Sequence, residues 1–431
     1  MKRVVWKELD EGARGDLFSA SPESEIVRAT SVEIVDTIRR EGDGAVFKYA
    51  RRLDGFTGDD FRVPLTEIDA ARNAADLDDI AAMQAAISAV RAFHAEQGLG
   101  GYEVETWPGV TCRRRVDPIQ SVGLYVPAGS APLVSTLVML AVPAQLAGVP
   151  NITVTVPSGP DGKVNASVLA AASLLGLDQV FAIGGAQAIA ALAFGAACLP
   201  RVAKIFGPGN AWVAAAKSFV STLPGGPAID LPAGPSEVMV IADADARPAF
   251  VAADLLAQAE HDPMAQVVLV STGADIAAIE AELSRQLAVL PRKAIAEQAL
   301  ARGLIIKADC RVDAVKIAEQ ACPEHLIIQT RAPGDIAHEI TTAGAIFVGE
   351  WTPESMGDYA AGPNHTLPTV GAGRAYSGVT VEAFQRTTTL IEANTAGAIE
   401  IAPVVERLAA LEGLDAHATA MRLRRIGGEN E

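Results

Sequence analysis

The chain has 431 residues, half of them apolar and 20% charged, which predicts a globular protein with two or three domains and a large core. Its formal net charge of −17 argues against nucleic acid and anionic membranes as partners, since a field of that sign repels phosphate. We expect a cytoplasmic protein, because the sequence shows no signal peptide, no run of ~18 apolar residues and no C-x-x-C spacing among its four cysteines.

The predicted elements change in character along the chain. Residues 1 to about 115 predict mainly amphipathic helices. From about residue 120, β-branched runs alternate with Ala-rich helical stretches, as in SVGLYVP and STLVMLAVPAQLAG, and a second such series begins at EVMVIAD. The last ~50 residues predict helices again. We therefore predict an α/β fold: two Rossmann-like α/β domains with mostly parallel sheets, plus helical amino- and carboxy-terminal extensions.

Gly- and Pro-rich clusters lie where predicted strands meet the next element: PAGS, IGGAQ, FGPGN and LPAGPSE. Ligands bind at the carboxyl ends of strands in open parallel sheets, so these clusters are candidate binding turns. No G-x-G-x-x-G follows a strand, and the residues themselves therefore do not predict a dinucleotide.

The stretch RPAFVAADLLAQAEHDP predicts a helix that begins near Pro248 and ends before Pro263. Gln258 and His261 would lie at i and i+3 on one face of its last turn, where two side chains can reach one metal ion. Asp254, one turn earlier, is a further candidate ligand. The alternative is a hydrogen-bonded pair at a helix end, with His261 complementing the helix dipole.

The segment CPEHL combines a carboxylate and an imidazole. Pro323 rules out a helix that continues through Cys322, and LIIQT predicts a strand, so Glu324 and His325 should lie on a loop that leads into the sheet. Adjacent side chains there point in different directions and could act on different protons. The alternative is a structural pair.

Two segments nearer the carboxyl terminus each pair a carboxylate with a histidine. The Gly/Pro-rich WTPESMGDYAAGPNHTLPT holds Asp358 and His365 and predicts a functional loop. In LEGLDAHATAMRLRR, Glu412 and His417 lie near the start of the last helix, where a solvated helix end is the alternative. A mixed nitrogen and oxygen zinc site with an open position for substrate could include four of these side chains: Gln258, His261, Asp358 and His417.

Eight motifs, in the same order, resemble the histidinol dehydrogenase family over nearly the whole chain. They are VGLYVPAGSAP, GGAQAIAALAFG, KIFGPGNAWV, PAGPSEVMVIAD, LLAQAEHDP, PEHLIIQT, PESMGDYAAGPNHTLPT and LDAHATAMRLR. The resemblance implies a homodimer with shared active sites that oxidises L-histidinol through L-histidinal to L-histidine, reducing two NAD. It also implies one Zn²⁺ per subunit, bound by Gln258, His261, Asp358 and the partner subunit's His417.

The resemblance also implies roles for individual residues. His325 would be the general base for the hydroxyl proton, and Glu324 would activate the water that adds to the aldehyde. The implied NAD contacts are Tyr125, Gln187 and Asn210. The implied substrate contacts are Ser236, Gln258, His261, His325, Asp358, His365, Glu412 and His417.

We predict an amino-terminal extension over residues 1–20 and an α/β domain with the zinc and catalytic residues over 21–124 and 239–379. Residues 125–238 would form the NAD-binding α/β domain, and 380–431 a helical segment that contributes to the partner subunit's site.

Three other functions fit part of the pattern. They are a paralogous zinc and NAD dehydrogenase of another small polar alcohol, a zinc hydrolase in which Glu324 activates a metal-bound water, and a non-catalytic binding protein. Glu412 and His365 favour a cationic, imidazole-bearing substrate over another alcohol.

Overall fold

The computed structural model describes residues 1–18, 25–128, 132–159, 161–232 and 234–429. Residues 129–131 of VGLYVPAGSAP, Ala233 of PAGPSEVMVIAD and the last residues of the predicted extension 1–20 therefore lie outside the described residues. The chain forms two compact units, residues 1–96 with 120–381 and residues 97–119 with 382–431.

The described helices and strands alternate through most of the chain. The helices are α1 (Glu11–Leu17), α2 (Glu25–Glu41), α3 (Asp43–Leu53), α4 (Leu65–Ala74), α5 (Leu77–His94), α6 (Val134–Leu146), α7 (Ala166–Leu174), α8 (Gly185–Phe194), α9 (Ala211–Thr222), α10 (Pro248–Ala259), α11 (Ile276–Val289), α12 (Lys293–Arg302), α13 (Arg311–Ala321), α14 (Pro333–Ala337), α15 (Glu354–Tyr359), α16 (Thr395–Leu411) and α17 (Asp415–Glu429). The strands are β1 (Lys2–Val5), β2 (Tyr102–Trp107), β3 (Val110–Pro118), β4 (Ser121–Tyr125), β5 (Asn151–Val156), β6 (Val180–Ala182), β7 (Lys204–Phe206), β8 (Ala228–Ile229), β9 (Glu237–Ala242), β10 (Gln266–Ser271), β11 (Leu304–Lys307), β12 (His325–Gln329), β13 (Ala345–Val348) and β14 (Gln385–Ala393).

A five-stranded parallel sheet in the first unit has the strand order β6-β5-β4-β7-β8. Leu124 of β4 pairs with Val154 on one side and with Phe206 on the other. The strand order reverses between β4 and β7. In doubly wound folds such a reversal opens a crevice at the carboxyl ends of the two strands, where ligands bind.

A six-stranded parallel sheet in the same unit has the order β1-β11-β10-β9-β12-β13. It repeats the winding of the first sheet, with the reversal between β9 and β12, and β1 extends its far edge. All six residues of β9 and all five of β12 are buried, because helices cover both faces of a parallel sheet. The predicted α/β fold with Rossmann-like parallel sheets is confirmed, whereas the predicted domain boundaries stay a prediction.

The second unit contains a sheet that the sequence pattern does not predict. Its three antiparallel strands have the order β14-β3-β2, and α16 packs along α17. We had predicted helices for both of these regions. The prediction was wrong at the strands because all six residues of β2 are exposed, so burial imposes no alternation on the sequence. Among the described residues, no helix is long and apolar enough to cross a membrane.

Candidate active site

The two residues of the Glu-His pair in CPEHL lie at the amino end of β12, beside the amino end of β9. Glu324 precedes the strand, as predicted, and His325 is its first residue, opposite Val238 in the parallel register. The α13 helix ends at Ala321, and Cys322 adopts a left-handed conformation with φ of 49°. This turn delivers both side chains to the buried edge of the sheet.

The backbone of Glu237, at the start of β9, holds both side chains. Its N–H donates a 2.8 Å hydrogen bond to Oε2 of Glu324, and its carbonyl oxygen accepts one from Nδ1 of His325 at 3.1 Å. Because a carbonyl can only accept, we assign the imidazole proton to Nδ1. Nε2 is therefore the basic atom. It is buried, lacks a hydrogen-bond partner among the described residues and lies 3.6 Å from Oδ1 of Asp358.

Burial sets the protonation of this pair. It lowers the pKa of His325 to about 3, so the imidazole is neutral at neutral pH. Burial also raises the pKa of Glu324 well above its usual range, and the nearby carboxylates of Glu237 and Asp358 act in the same direction. A carboxylate with a raised pKa is a stronger base than one in water.

A cluster of potential metal ligands lies beside Nε2 of His325. The side chains of His261, Glu354 and Asp358 each offer one ligand atom, and these atoms lie within 4.8 Å of one another. Gln258 is fully buried, and neither atom of its amide has a hydrogen-bond partner within the described ranges. Leaving a buried amide unpaired is costly, so this donor set fits a bound metal ion.

The helix before this cluster is shorter than predicted. The α10 helix ends at Ala259, so His261 lies beyond it, and the His261 N–H donates to the carbonyl oxygen of Gln258 at 3.2 Å. Asp254, left open as a ligand, is buried and accepts a 2.5 Å hydrogen bond from the side chain of Gln329.

Glu354 is a candidate ligand that the sequence pattern does not indicate. The segment WTPESMGDYAAGPNHTLPT predicts a loop, but Glu354–Tyr359 is a short helix, α15. Glu354 and Asp358 are then four residues apart and share one face, which brings both carboxylates to the cluster. Burial raises the pKa of Asp358 to about 7 and that of Glu354 well above its usual range. The spacing E-x-x-x-D was the available signal.

His365 lies after α15 and links the cluster to the other sheet. Its Nδ1 donates to the carbonyl oxygen of Asp358 at 2.9 Å, and its Nε2 lies 3.1 Å from the hydroxyl of Thr136 in α6, which follows β4. Burial lowers the pKa of His365 to about 4, so the ring is neutral. Ser236, immediately before β9, is half-buried.

The last two predicted site residues belong to the second unit. Glu412 directly follows α16, and His417 lies in the first turn of α17. Both side chains are exposed.

The three candidate nucleotide contacts lie at the carboxyl edge of the five-stranded sheet. Tyr125 ends β4, Gln187 lies in the first turn of α8 after β6, and Asn210 caps α9 after β7, accepting the N–H of Val213 at 3.1 Å. The Tyr125 hydroxyl accepts a 3.2 Å hydrogen bond from the N–H of Gly185, and burial raises its pKa to about 12. Tyr125 and Asn210 belong to the two strand ends, of β4 and β7, between which the strand order reverses, whereas Gln187 follows the edge strand β6.

Comparison with known proteins gives one consistent result. The histidinol dehydrogenase family model matches residues 19–425. Histidinol dehydrogenases of Xylella fastidiosa and Xanthomonas axonopodis pv. citri are each 47% identical to this chain over 98% of its length and 99% of theirs. The crystal structure of histidinol dehydrogenase from Elizabethkingia anophelis is similar with a TM-score of 0.93 and 39% identity, covering 100% of this chain and 99% of that one.

Proposed function

The chain belongs to the histidinol dehydrogenase family, and on that premise we propose that it oxidises L-histidinol through L-histidinal to L-histidine, with two NAD as hydride acceptors. These are the last two steps of histidine biosynthesis. The observation that carries the proposal is Nε2 of His325, a buried neutral base that has no hydrogen-bond partner among the described residues and faces the candidate metal ligands. Such a base suits an alcohol oxidation, because the hydroxyl proton must leave as the hydride departs from carbon.

We propose that the cluster binds one Zn²⁺ per subunit through Gln258, His261, Asp358 and the partner subunit's His417. The amide of Gln258, which finds no hydrogen-bond partner in the described part of the chain, and the close ligand atoms of His261 and Asp358 support this assignment. When bound, the zinc ion would orient the substrate through nitrogen atoms of its imidazole and amino groups.

In the first oxidation, Nε2 of His325 accepts the hydroxyl proton of L-histidinol while the hydride leaves the same carbon for the nicotinamide of NAD. The electron pair of the O–H bond becomes the second C–O bond of the aldehyde. Glu237 keeps the other proton on Nδ1 through its carbonyl oxygen, so the imidazole always presents its basic atom to the substrate.

In the second oxidation, Glu324 takes a proton from the water molecule that adds to the aldehyde carbon. As Glu324 removes this proton, His325 returns the proton it took in the first oxidation to the aldehyde oxygen, so the resulting hydrate again carries a C–H and an O–H bond. His325 then accepts the hydroxyl proton of the hydrate while the hydride leaves the same carbon for a second NAD. The proton transfer from water requires the ionised form of Glu324, which burial disfavours and the hydrogen bond from the Glu237 N–H stabilises. The hydrogen bond from the Glu237 N–H fixes the carboxylate that performs it.

We propose that Glu412 and His417 serve the partner subunit's active site in a homodimer. Both are exposed on the second unit, and large apolar side chains on the same two helices are exposed as well, including Leu411 at 67% and Leu423 at 66%. Exposed apolar surface of this kind is typical of an interface between subunits. We also propose a cytoplasmic location, which the four free cysteines support.

The decisive experiment is the stoichiometry of the reaction. Purified zinc-loaded protein with excess NAD should form about two NADH per L-histidinol consumed, because each two-electron step needs its own hydride acceptor. A ratio of about one would mean that the reaction stops at the aldehyde. Absence of NADH with zinc bound would refute the proposal and favour another polar alcohol, whereas turnover without NAD would favour a hydrolase.

A further inference from the structure

Gln187 is held in one orientation by a residue that no motif indicated. The glutamine side chain is 1% exposed, and its Nε2 donates a 2.8 Å hydrogen bond to Oδ2 of Asp54. Asp54 directly follows α3, in the amino-terminal part of the first unit. Because a carboxylate only accepts, this contact fixes the NH₂ group toward Asp54 and turns Oε1 away from it.

The Oε1 atom of Gln187 is buried and has no hydrogen-bond partner in the part of the chain that the structure describes. A buried acceptor without a donor is costly, so a donor from a ligand would be favoured there. The Gln187 amide in this orientation lies directly against Gly185, which has φ of 65°, and a Cβ on Gly185 would lie only 2.7 Å from Oε1.

The amino end of α8 is occupied by groups of the chain itself. The N–H of Gly184, the residue that caps the helix, donates to the Asp54 carboxylate, and the N–H of Gly185 donates to the Tyr125 hydroxyl. In many nucleotide-binding folds such amides receive a phosphate. Here a carboxylate takes that place, so the neighbourhood of Gln187 suits an uncharged donor group of the ligand.

We propose that Asp54 is a positioning residue for the dinucleotide: it holds the Gln187 amide so that Oε1 accepts a hydrogen bond from a hydroxyl or amide group of NAD. The inference rests on the proposed function, in which Gln187 contacts NAD. A purely structural tether between α3 and α8 is the competing explanation. Such a tether would change thermal stability and the fraction of active enzyme, and would leave the KM for NAD unchanged.

The test compares Asp54→Ala, Gln187→Ala and the double variant in the zinc-loaded enzyme. We expect Asp54→Ala to raise the KM for NAD about tenfold, with little change in kcat or in the KM for L-histidinol, because one oriented hydrogen bond is lost. If Asp54 acts through Gln187, adding Asp54→Ala to Gln187→Ala should cause no further rise. Asp59→Ala, which removes an exposed carboxylate from the same segment, is the control for net charge.

Asp54→Asn keeps the volume of the side chain and replaces Asp54→Ala in the test if the alanine variant does not fold. An asparagine can face Gln187 with either its oxygen or its NH₂ group, so we expect a smaller rise in KM of about threefold. A raised KM in Gln187→Ala with no change in either Asp54 variant would overturn the inference and leave the proposed function intact. An unchanged KM in Gln187→Ala would instead remove the NAD assignment of Gln187, and the inference with it.

Discussion

A buried ion pair should stabilise the turn that precedes α9. Nζ of Lys217 lies 2.6 Å from Oδ1 of Asp230 and 2.7 Å from the carbonyl oxygen of Gly207, and the two charged side chains are 2% and 1% exposed. Asp230 also accepts the N–H groups of Gly207 and Leu231, each at 2.7 Å. Gly207 has φ of 117°, and a Cβ there would clash with the carbonyl oxygen of Tyr125.

Replacing Lys217 with Met should cost about 3 kcal/mol of unfolding free energy. Breaking a buried pair costs about 3–5 kcal/mol because one charge is left without its partner. We expect the lower end because two backbone N–H groups still bind the Asp230 carboxylate. Adding Asp230→Asn to Lys217→Met removes the remaining charge and keeps an oxygen acceptor, so the double variant should be more stable than Lys217→Met alone, at a net loss of about 1–2 kcal/mol.

Urea unfolding followed by circular dichroism measures these differences. Lys293→Met is the matched control, because its partner Glu297 is 3.6 Å away and both side chains are about half exposed; we expect no measurable change there. A Lys217→Met variant as stable as wild type would refute the reasoning. A double variant less stable than Lys217→Met would show that hydrogen bonding, and not the isolated charge, dominates.

Three further predictions concern the candidate active site. His261→Ala should lose bound zinc and activity together, measured by metal analysis and NADH formation, whereas the exposed His338→Ala should keep both; retained stoichiometric zinc would exclude His261 as a ligand. His325→Ala should keep bound zinc and slow both oxidations by about 10²–10⁴-fold. Glu324→Gln should chiefly slow the oxidation of added L-histidinal, and equal effects on both steps would contradict the role of Glu324. Burial raises the pKa of Glu237 to about 7 in the folded protein, against about 4.3 in the unfolded chain. The contribution of the Glu237 carboxyl group to stability is therefore present at low pH and is lost as the pH rises through about 7. In metal-free protein, Glu237→Gln should therefore gain up to about 3 kcal/mol relative to wild type between about pH 5 and pH 8, and a constant difference would contradict the shift.

The two parallel sheets could be predicted because burial leaves a strong pattern in the sequence. EVMVIA and HLIIQ are buried at every position, which requires nearly continuous apolar runs. The antiparallel sheet could not be predicted in this way. All six residues of β2, YEVETW, are exposed, so burial leaves no apolar alternation in this segment. Its composition is compatible with a strand but does not predict one.

The candidate catalytic pair and three of the metal candidates could be selected from sequence, but the contacts that orient them could not. Glu237 acts on Glu324 and His325 through its backbone, and a backbone contact leaves no residue type to recognise. Glu354 is recognisable only once the segment is known to be helical, and Pro353 and Gly357 favoured a loop. Asp54 reaches Gln187 across 133 positions, a pairing that only the fold determines.

The candidate functional residues lie at opposite edges of the two parallel sheets, and this explains how one site can include residues from both sheets. Tyr125 ends a strand and Asn210 follows one at the carboxyl edge of the five-stranded sheet, whereas His325 begins a strand at the amino edge of the six-stranded sheet. His365 contacts residues near both edges. Its Nδ1 donates to the carbonyl oxygen of Asp358, and its Nε2 lies within hydrogen-bond distance of the hydroxyl of Thr136, in the first turn of α6, the helix that follows β4. A hydride acceptor held at the first edge and a base held at the second would therefore face each other across His365, as oxidation of a substrate bound between them requires.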